Sequence, residues 1–402
     1  MLDIVLTQLP NPVLATQMYH SLGILYLAST VERAGYSVEI VDLRQGDRPL
    51  PEAKYYGFSC TTPEIDYARK LAKQVKGITI VGGGHPSLMP EDCVRDFDYV
   101  IVGEGEDIIL NFLEDKWYYP KIIRAPRIRD LNRIPFPARH LVKNPFSTNI
   151  FPGERYGEGA PTATMITSRG CPFDCHFCGN ILRNPVTFRS VEDILIEMQE
   201  LIEGYGIEHF KFMDDNFTLH PNFRELCKHI GRLDIHYIVH TRSDLMTDEK
   251  AQYLFQSGCV QSGLGVESAD DRVLKLNNKK ETVAQHKEAL KMLKEAGLRT
   301  KPYWMTGLPG ETDETIELNK QFMISTNPDK WTISTFTPYP GCAVHNNPEK
   351  FGIEIIEKDW SKYWNYCQGK YNHVLKGQTQ EQMWTRYEGF YNWLRSEQWK
   401  RQ

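Results

Sequence analysis

Short apolar runs alternate with amphipathic segments along most of this chain, and the pattern falls into two successive stretches. In the first, Ile4-Val5-Leu6, Val38 to Val41, Tyr56 to Cys60, Thr79 to Val81 and Tyr99 to Val102 read as strands. Between them Ser21 to Ala34, ending at Gly35, and Glu64 to Lys76 carry apolar residues at helical spacing. Strands separated by helices predict a parallel, doubly wound, Rossmann-like sheet, and ligands of such sheets sit at the carboxyl ends of the strands. The loops there include Gly82-Gly83-Gly84-His85-Pro86 and Gly103-Glu104-Gly105-Glu106. Neither fits the dinucleotide pattern G-x-G-x-x-G, so a nicotinamide cofactor is not expected.

The second stretch repeats a strand-helix unit about six times. Strands are predicted over Ala163 to Thr167, His209 to Met213, Tyr237 to Thr241, Gly263 to Val266, Thr300 to Thr306 and Trp331 to Phe336. Helices fit over Val191 to Glu203, Pro221 to Leu233, Thr247 to Gln256, Thr282 to Ala296 and Thr312 to Ser325. Six such units predict a partial barrel, with chemistry at the carboxyl-end rim of its strands. The expected organisation is a first domain over 1–118, a Pro-punctuated linker over 119–160, the partial barrel over 161–345 and an aromatic-rich helical tail over 346–402. In the tail, Trp384, Tyr387, Tyr391 and Leu394 lie at helical spacing and read as core packing.

Composition removes several classes. The net charge of −5 leaves no basic footprint for nucleic acid. No apolar run approaches the length needed to span a bilayer, and Asp3 inside the first apolar run marks a strand where a signal peptide would be uninterrupted. Nine cysteines without a repeating framework fit a reducing, cytoplasmic setting.

Three of those cysteines carry the candidate chemistry. Cys171, Cys175 and Cys178 fall within eight residues and are followed by Gly179, so the peptide can wrap around a metal group. Thiolates suit an iron-sulfur cluster, and three sulfurs on a four-iron cluster leave one iron open. The competing reading is structural zinc, with His176 or a distant cysteine as a further ligand, but no second metal knuckle exists in the chain. Three cysteines so close together are poorly placed for disulfides.

The spacing C-x3-C-x2-C, with Phe177 before the last cysteine, resembles the signature of radical S-adenosylmethionine (SAM) enzymes. The resemblance implies that the three cysteines hold a [4Fe-4S] cluster, that SAM chelates the fourth iron, that Phe177 lies near the adenine, and that one electron cleaves SAM to a 5'-deoxyadenosyl radical. The stretches Val81 to Ser87 and Asp98 to Glu106, with Ser21 to Ala28 and Ser59 to Pro63, resemble the cobalamin-binding domain that precedes many of these barrels. On that resemblance Ser59, Thr61, Gly82, Gly83, His85 and Glu104 would surround the corrin and its nucleotide tail. The D-x-H-x-x-G motif that places a His on cobalt elsewhere is absent.

Other rim segments extend the likeness. Met213 to Phe217 resembles a "D-D-x-F" segment, in which Asp214 and Asp215 either orient SAM or substrate, or cap the following helix. Arg242 is a candidate partner for the SAM carboxylate, with an ion pair to Asp244 or Asp214 as the alternative. Glu267 and Ser268 stand in a "G-x-E-S" segment, Leu308 lies in a stretch that lines the adenine pocket in the family, and Leu274 to Lys279 matches its basic segment. Arg133 to Arg139 resembles the connector before such barrels, and Cys342 is expected near the open rim as a reactive thiol or a small packing residue.

The family resemblance implies cobalamin-dependent methylation of an unactivated carbon or phosphorus centre, in which one SAM supplies the methyl group and a second the radical. A radical cyclisation, rearrangement or oxidation without methyl transfer is the alternative, and a redox-sensing cluster protein a third. Methylthiolation is disfavoured, because there is no second cysteine triad. The implied partners are a small-molecule or peptide substrate and a reductase such as flavodoxin or ferredoxin.

Overall fold

The computed structural model describes residues 1–11, 19–115, 120–148, 159–365, 370–397 and 400. It divides into two compact units: residues 1–165, 185–207 and 359–363 form the first, and 166–184, 208–358 and 364–402 the second.

In the first unit, strands β1 (Leu2–Gln8), β2 (Val38–Asp42), β3 (Ala53–Ser59), β4 (Ile78–Gly82), β5 (Tyr99–Val102) and β6 (Ile122–Arg124) form one sheet in the order β2-β1-β3-β4-β5-β6. Every pairing is parallel. Successive side chains of a strand point to opposite faces, and here both faces are apolar. Ile4, Leu6, Ile80 and Ile101 pack on one side with Ile24, Leu25, Ile108 and Phe112. Val5, Val81 and Val100 pack on the other with Ile65, Ala68 and Leu71. Helices on both faces complete the doubly wound layer.

Two features differ from the sequence pattern. The three-residue strand β6 lies where a linker was expected, too short to show periodicity and held by the ladder of β5. The connector motif ends in a buried anchor: Arg139 donates from Nη2 to the Thr164 carbonyl at 2.7 Å and pairs with buried Glu197 at 2.8 Å. Pro152, most of the glycine-rich run 153–159, and the tail residues Tyr366 and Trp399 lie outside the described residues.

The second sheet consists of β7 (Thr162–Met165), β8 (His209–Phe212), β9 (His236–Thr241), β10 (Cys259–Glu267), β11 (Arg299–Thr306) and β12 (Thr332–Thr335). Its order is β12-β11-β10-β9-β8-β7, the six-stranded partial barrel that the repeats predict. The helices between start at side-chain caps, Thr247 for Asp248–Gln256, Thr282 for Val283–Glu295 and Thr312 for Asp313–Thr326. Strand β11 alternates strictly: Thr300, Pro302, Trp304 and Thr306 are buried, and Arg299, Lys301, Tyr303 and Met305 occupy the opposite face. Trp304 meets Phe322 and Phe390 edge-on, which places the tail helix Gln380–Arg395 against the barrel's outer layer. The tail also holds a two-stranded antiparallel sheet of Ile353–Ile355 and His373–Leu375. Tyr371 closes over Gly307, whose φ of 80° and lack of a Cβ admit the ring.

Candidate active site at the rim of the partial barrel

The cysteine loop is fixed by its own backbone and by the neighbouring rim. Cys171 N donates to the Leu182 carbonyl at 3.1 Å, and Cys178 N to the Cys175 carbonyl at 3.1 Å. Arg183 donates to the carbonyls of Phe173 and Cys178. Gly170 takes the positive φ, 103°, at the loop entrance; Gly179 does not. His176 is oriented away from a ligand role, with Nδ1 on the Leu276 carbonyl at 3.1 Å and its ring edge-on to Phe351.

All three thiols open onto one cavity of about 230 Å³, together with Phe177, Asp215, Arg242 and Glu267 among the residues expected there. The sequence reading did not single out Phe173, Asn180, Asn216, His240, Lys279 or Tyr303, which also line it. Asn216 lies inside the D-D-x-F-like segment and Lys279 ends the basic segment Leu274 to Lys279, so the signal for both was proximity to a motif.

Donors surround the sulfurs. Asn216 Nδ2 donates to Cys171 Sγ at 3.4 Å, and Arg242 Nη1 to Cys175 Sγ at 3.8 Å. The Arg242 guanidinium lies 3.7 Å from the Phe173 ring centroid. Its other nitrogens reach Asp244 at 2.9 and 3.0 Å, Glu281 at 3.1 Å and the Lys279 carbonyl at 2.9 Å. Arg242 is thus committed to the ion pair with Asp244 that was its alternative role. Burial raises the thiol pKa of Cys175, and the Lys279 and Arg242 cations oppose that rise. Burial pushes Cys178 up to about 11.

Glu267 reaches the cavity from a left-handed backbone, φ 64°, unusual for a residue with a side chain. Its carboxylate is 3.8 Å from Lys279 Nζ, which also pairs with fully buried Glu281 at 3.0 Å. Glu281 accepts from the backbone N of Ser243 and Asp244 as well, so it organises the turn that presents Arg242.

Several expected residues lie elsewhere. Asp214 is buried and accepts from Thr167 N, Thr167 Oγ1 and Ser168 Oγ, whereas Asp215 faces the cavity and accepts from Asn180 at 2.9 Å. Ser268 is buried, its hydroxyl accepting from Asp270 N, and Leu308 belongs to an apolar cluster against which Phe177 packs. Glu311, ahead of the helix Asp313–Thr326, is buried: it accepts from Gly307 N at 3.0 Å and pairs with Arg386 at 3.4 Å, and burial pushes its pKa up to about 7. Cys342 is fully buried, caps a short helix by accepting from His345 N, and burial pushes its thiol to about 11. It is a packing residue and not an open-rim thiol.

In the first unit the strand ends present small residues. Gly83, at φ 97°, sits so close to Cys60 that a Cβ would fall 2.8 Å from its backbone N and O. Ser59 and Gly82 are half-buried and Thr61 is exposed at the same edge. His85 is fully buried, with Nδ1 3.3 Å from Thr62 Oγ1 and Nε2 3.1 Å from Asp92, and burial lowers its pKa. Glu104 is buried, paired with Arg127 and accepting from Ile128 N. His85 and Glu104 are engaged inside the unit by Thr62 and Asp92 and by Arg127 and Ile128.

The three-thiol loop fits an iron-sulfur cluster with an uncommitted iron: among the described residues no fourth cysteine lines the cavity, and His176 is turned away. A family model described as Radical SAM superfamily matches residues 165–323, and one described as B12 binding domain matches residues 14–113. An uncharacterized methyltransferase of Pyrococcus horikoshii is 29% identical over 389 residues, covering 85% of this chain and 81% of the relative. The anaerobic magnesium-protoporphyrin IX monomethyl ester cyclase of Rubrivivax gelatinosus is 27% identical, covering 85% and 68%. Among solved structures, the radical SAM methyltransferase TsrM of Kitasatospora setae, with cobalamin and a [4Fe-4S] cluster bound, superposes with a TM-score of 0.67 at 17% identity, covering 89% of this chain and 81% of that one. The two matched domains imply a [4Fe-4S] cluster, SAM and cobalamin as cofactors. A B12-binding-domain match over residues 14–113 thus precedes a radical SAM match over residues 165–323, whose half-barrel carries three cavity-lining thiols, so the chain joins a B12-binding-type domain to a radical SAM domain.

Proposed function

We propose that the protein methylates an unactivated carbon or phosphorus centre of a small-molecule or peptide substrate, using cobalamin and two molecules of SAM, with electrons from a small reductase. The observation that carries this reading is the pairing of a B12-binding domain with a cavity onto which three thiols open. Cys171, Cys175 and Cys178 would hold the cluster, with Phe177 and Gly179 beside it. Glu267, Asp215 and Lys279, which line the cavity, would orient SAM, and Arg242 would serve as a donor to Cys175 more than as a free clamp. Ser59, Thr61, Gly82 and Gly83 would hold the corrin. When bound, the cofactors supply the radical and the methyl group; the protein orients them and excludes water.

The same machinery supports a second reading, because one similar protein is a cyclase. In that reading a radical cyclisation or oxidation occurs without methyl transfer. Among the described residues no helix is long and apolar enough to cross a membrane, and eight described cysteines are free, in keeping with action in a reducing, low-oxygen cytoplasm.

Product stoichiometry separates the two. Loaded anaerobically and given reductant, SAM and substrate, a methyltransferase forms S-adenosylhomocysteine and 5'-deoxyadenosine in equal amounts. Formation of 5'-deoxyadenosine without S-adenosylhomocysteine would sink the methyl-transfer reading and favour the cyclase-type one.

A further inference from the structure

Asn278 and Lys280, on either side of Lys279, take left-handed backbone angles, φ 51° and 57°. Such angles are uncommon for residues other than glycine and persist where the surrounding structure fixes them. Here they turn Lys279 inward. Its side chain is 6% exposed and lines the thiol cavity, whereas Lys280 reaches outward to an exposed pair with Asp174. The Lys279 carbonyl accepts from Arg242 Nη2 at 2.9 Å, so the two cationic residues are tied together through the backbone.

One carboxylate holds both cations. Glu281 Oε1 accepts from Ser243 N at 2.7 Å and from Asp244 N at 3.2 Å. Its Oε2 lies 3.0 Å from Lys279 Nζ and 3.1 Å from Arg242 Nη2, contacts of charge without a directed hydrogen bond. The Glu281 side chain is fully buried, so removing it would leave two buried cations short of a partner. Arg242 is also stacked on Phe173, and its Nη1 is turned to Cys175 Sγ at 3.8 Å. Burial works against the Lys279 charge, but Glu267 and Glu281 outweigh it and raise the pKa of the ammonium. Burial raises the Cys175 thiol pKa; Lys279 opposes that rise most strongly and Arg242 next.

We infer that Glu281 is a positioning residue for reduction of the cluster: it clamps Lys279 and Arg242 beside Cys175 as fixed positive charges that set how readily the cluster accepts an electron. The inference rests on the cluster reading above and adds a control of its potential. Reduction adds one negative charge to a group already held by three thiolates, and buried cations beside it favour the reduced state. Glu267 acts in the opposite sense at Cys175 and lies 3.8 Å from Lys279, so a Lys279 released from Glu281 has Glu267 as its remaining partner.

The test is a reductive titration of the full-length, cluster-loaded protein in the absence of SAM and substrate, read by electron paramagnetic resonance, with iron content measured for each variant. Wild type, Lys279→Met, Lys279→Arg, Glu281→Gln and the exposed control Lys280→Met are compared. Lys279→Met is expected to disfavour reduction roughly tenfold, a potential about 59 mV lower, while Lys279→Arg and Lys280→Met stay within about twofold, roughly 18 mV. Loss of a negative charge alone would raise the potential, whereas loss of the clamp lowers it; Glu281→Gln is expected to disfavour reduction roughly threefold or more, about 28 mV. If Lys279→Met does not hold four irons, Lys279→Gln takes its place with the same expected direction. A potential unchanged on loss of the Lys279 charge, lowered equally in Lys280→Met, or raised in Glu281→Gln overturns the inference. A wild-type protein that forms no four-iron cluster overturns the cluster reading and this inference together, whereas four irons with an unshifted potential overturn the inference alone.

Discussion

Asn216 Nδ2 stands 3.4 Å from Cys171 Sγ, a donor aimed at one of the three thiols that open onto the cavity. Donors to cluster sulfurs stabilise the more reduced, more negative state and raise its potential. A hydrogen bond worth about 1 kcal/mol corresponds to roughly 40 mV for one electron. Asn216→Ala is expected to lower the cluster potential by roughly 20–60 mV while iron content is unchanged. Reductive titration followed by electron paramagnetic resonance checks this, and an unshifted potential would show the contact to be incidental.

Arg242 contributes differently, because it also holds Asp244, Glu281 and the Lys279 carbonyl. Arg242→Ala leaves buried Glu281 and Asp244 short of a partner, so a loss of roughly 3–5 kcal/mol in unfolding free energy is expected. Chemical denaturation of the anaerobic protein measures it. A loss below about 1 kcal/mol would contradict the buried network described above.

Adjacent carboxylates separate in the same way. Asp214 satisfies three donors from Thr167 and Ser168 inside the fold, and Asp215 faces the cavity with Asn180. Asp214→Ala strands those donors and is expected to cost roughly 2–4 kcal/mol of stability. Asp215→Ala is expected to cost less than about 1 kcal/mol and to weaken SAM binding instead. Equal effects of the two substitutions on stability would refute the distinction.

The carboxyl of Glu311 titrates at about 7 because burial outweighs its Gly307 and Arg386 partners. A folded-state pKa raised above the unfolded value near 4.5 gives a contribution that is fully present below pH 4.5 and is lost as pH rises through 7. Stability is therefore expected to fall between pH 5 and 8 by on the order of 3 kcal/mol from this group. In Glu311→Gln that part of the pH dependence should disappear. A wild-type profile whose slope persists unchanged in the variant would assign it to other groups.

Much of the architecture was legible because burial on both faces turns strands into apolar runs such as Val81 and its neighbours, and helices begin at Thr247, Thr282 and Thr312 caps. Strand β6 was hidden by its length, since three residues carry no period. At the rim, the cysteine spacing was readable from local sequence. The choice between Asp214 and Asp215 was not, because it depends on Thr167 and Ser168, more than forty positions earlier along the chain. Lys279 reaches the cavity through a turn in which Asn278 and Lys280 both take positive φ, 51° and 57°, a conformation set by the surrounding packing. Of the two roles open to Cys342 near the rim, its burial among Phe351, Ile353, Tyr371, Leu375 and Met383 of the following tail selects packing, a contact that local sequence does not encode.

The most direct test is anaerobic reconstitution with iron, sulfide and hydroxocobalamin, followed by desalting, metal analysis and the visible spectrum. The account predicts about four irons and about one retained corrin per chain, with the irons lost and the corrin kept when Cys171, Cys175 and Cys178 are replaced by Ala. Four irons without retained corrin would contradict cobalamin-dependent methyl transfer, and stoichiometric zinc in place of iron would contradict the radical chemistry altogether.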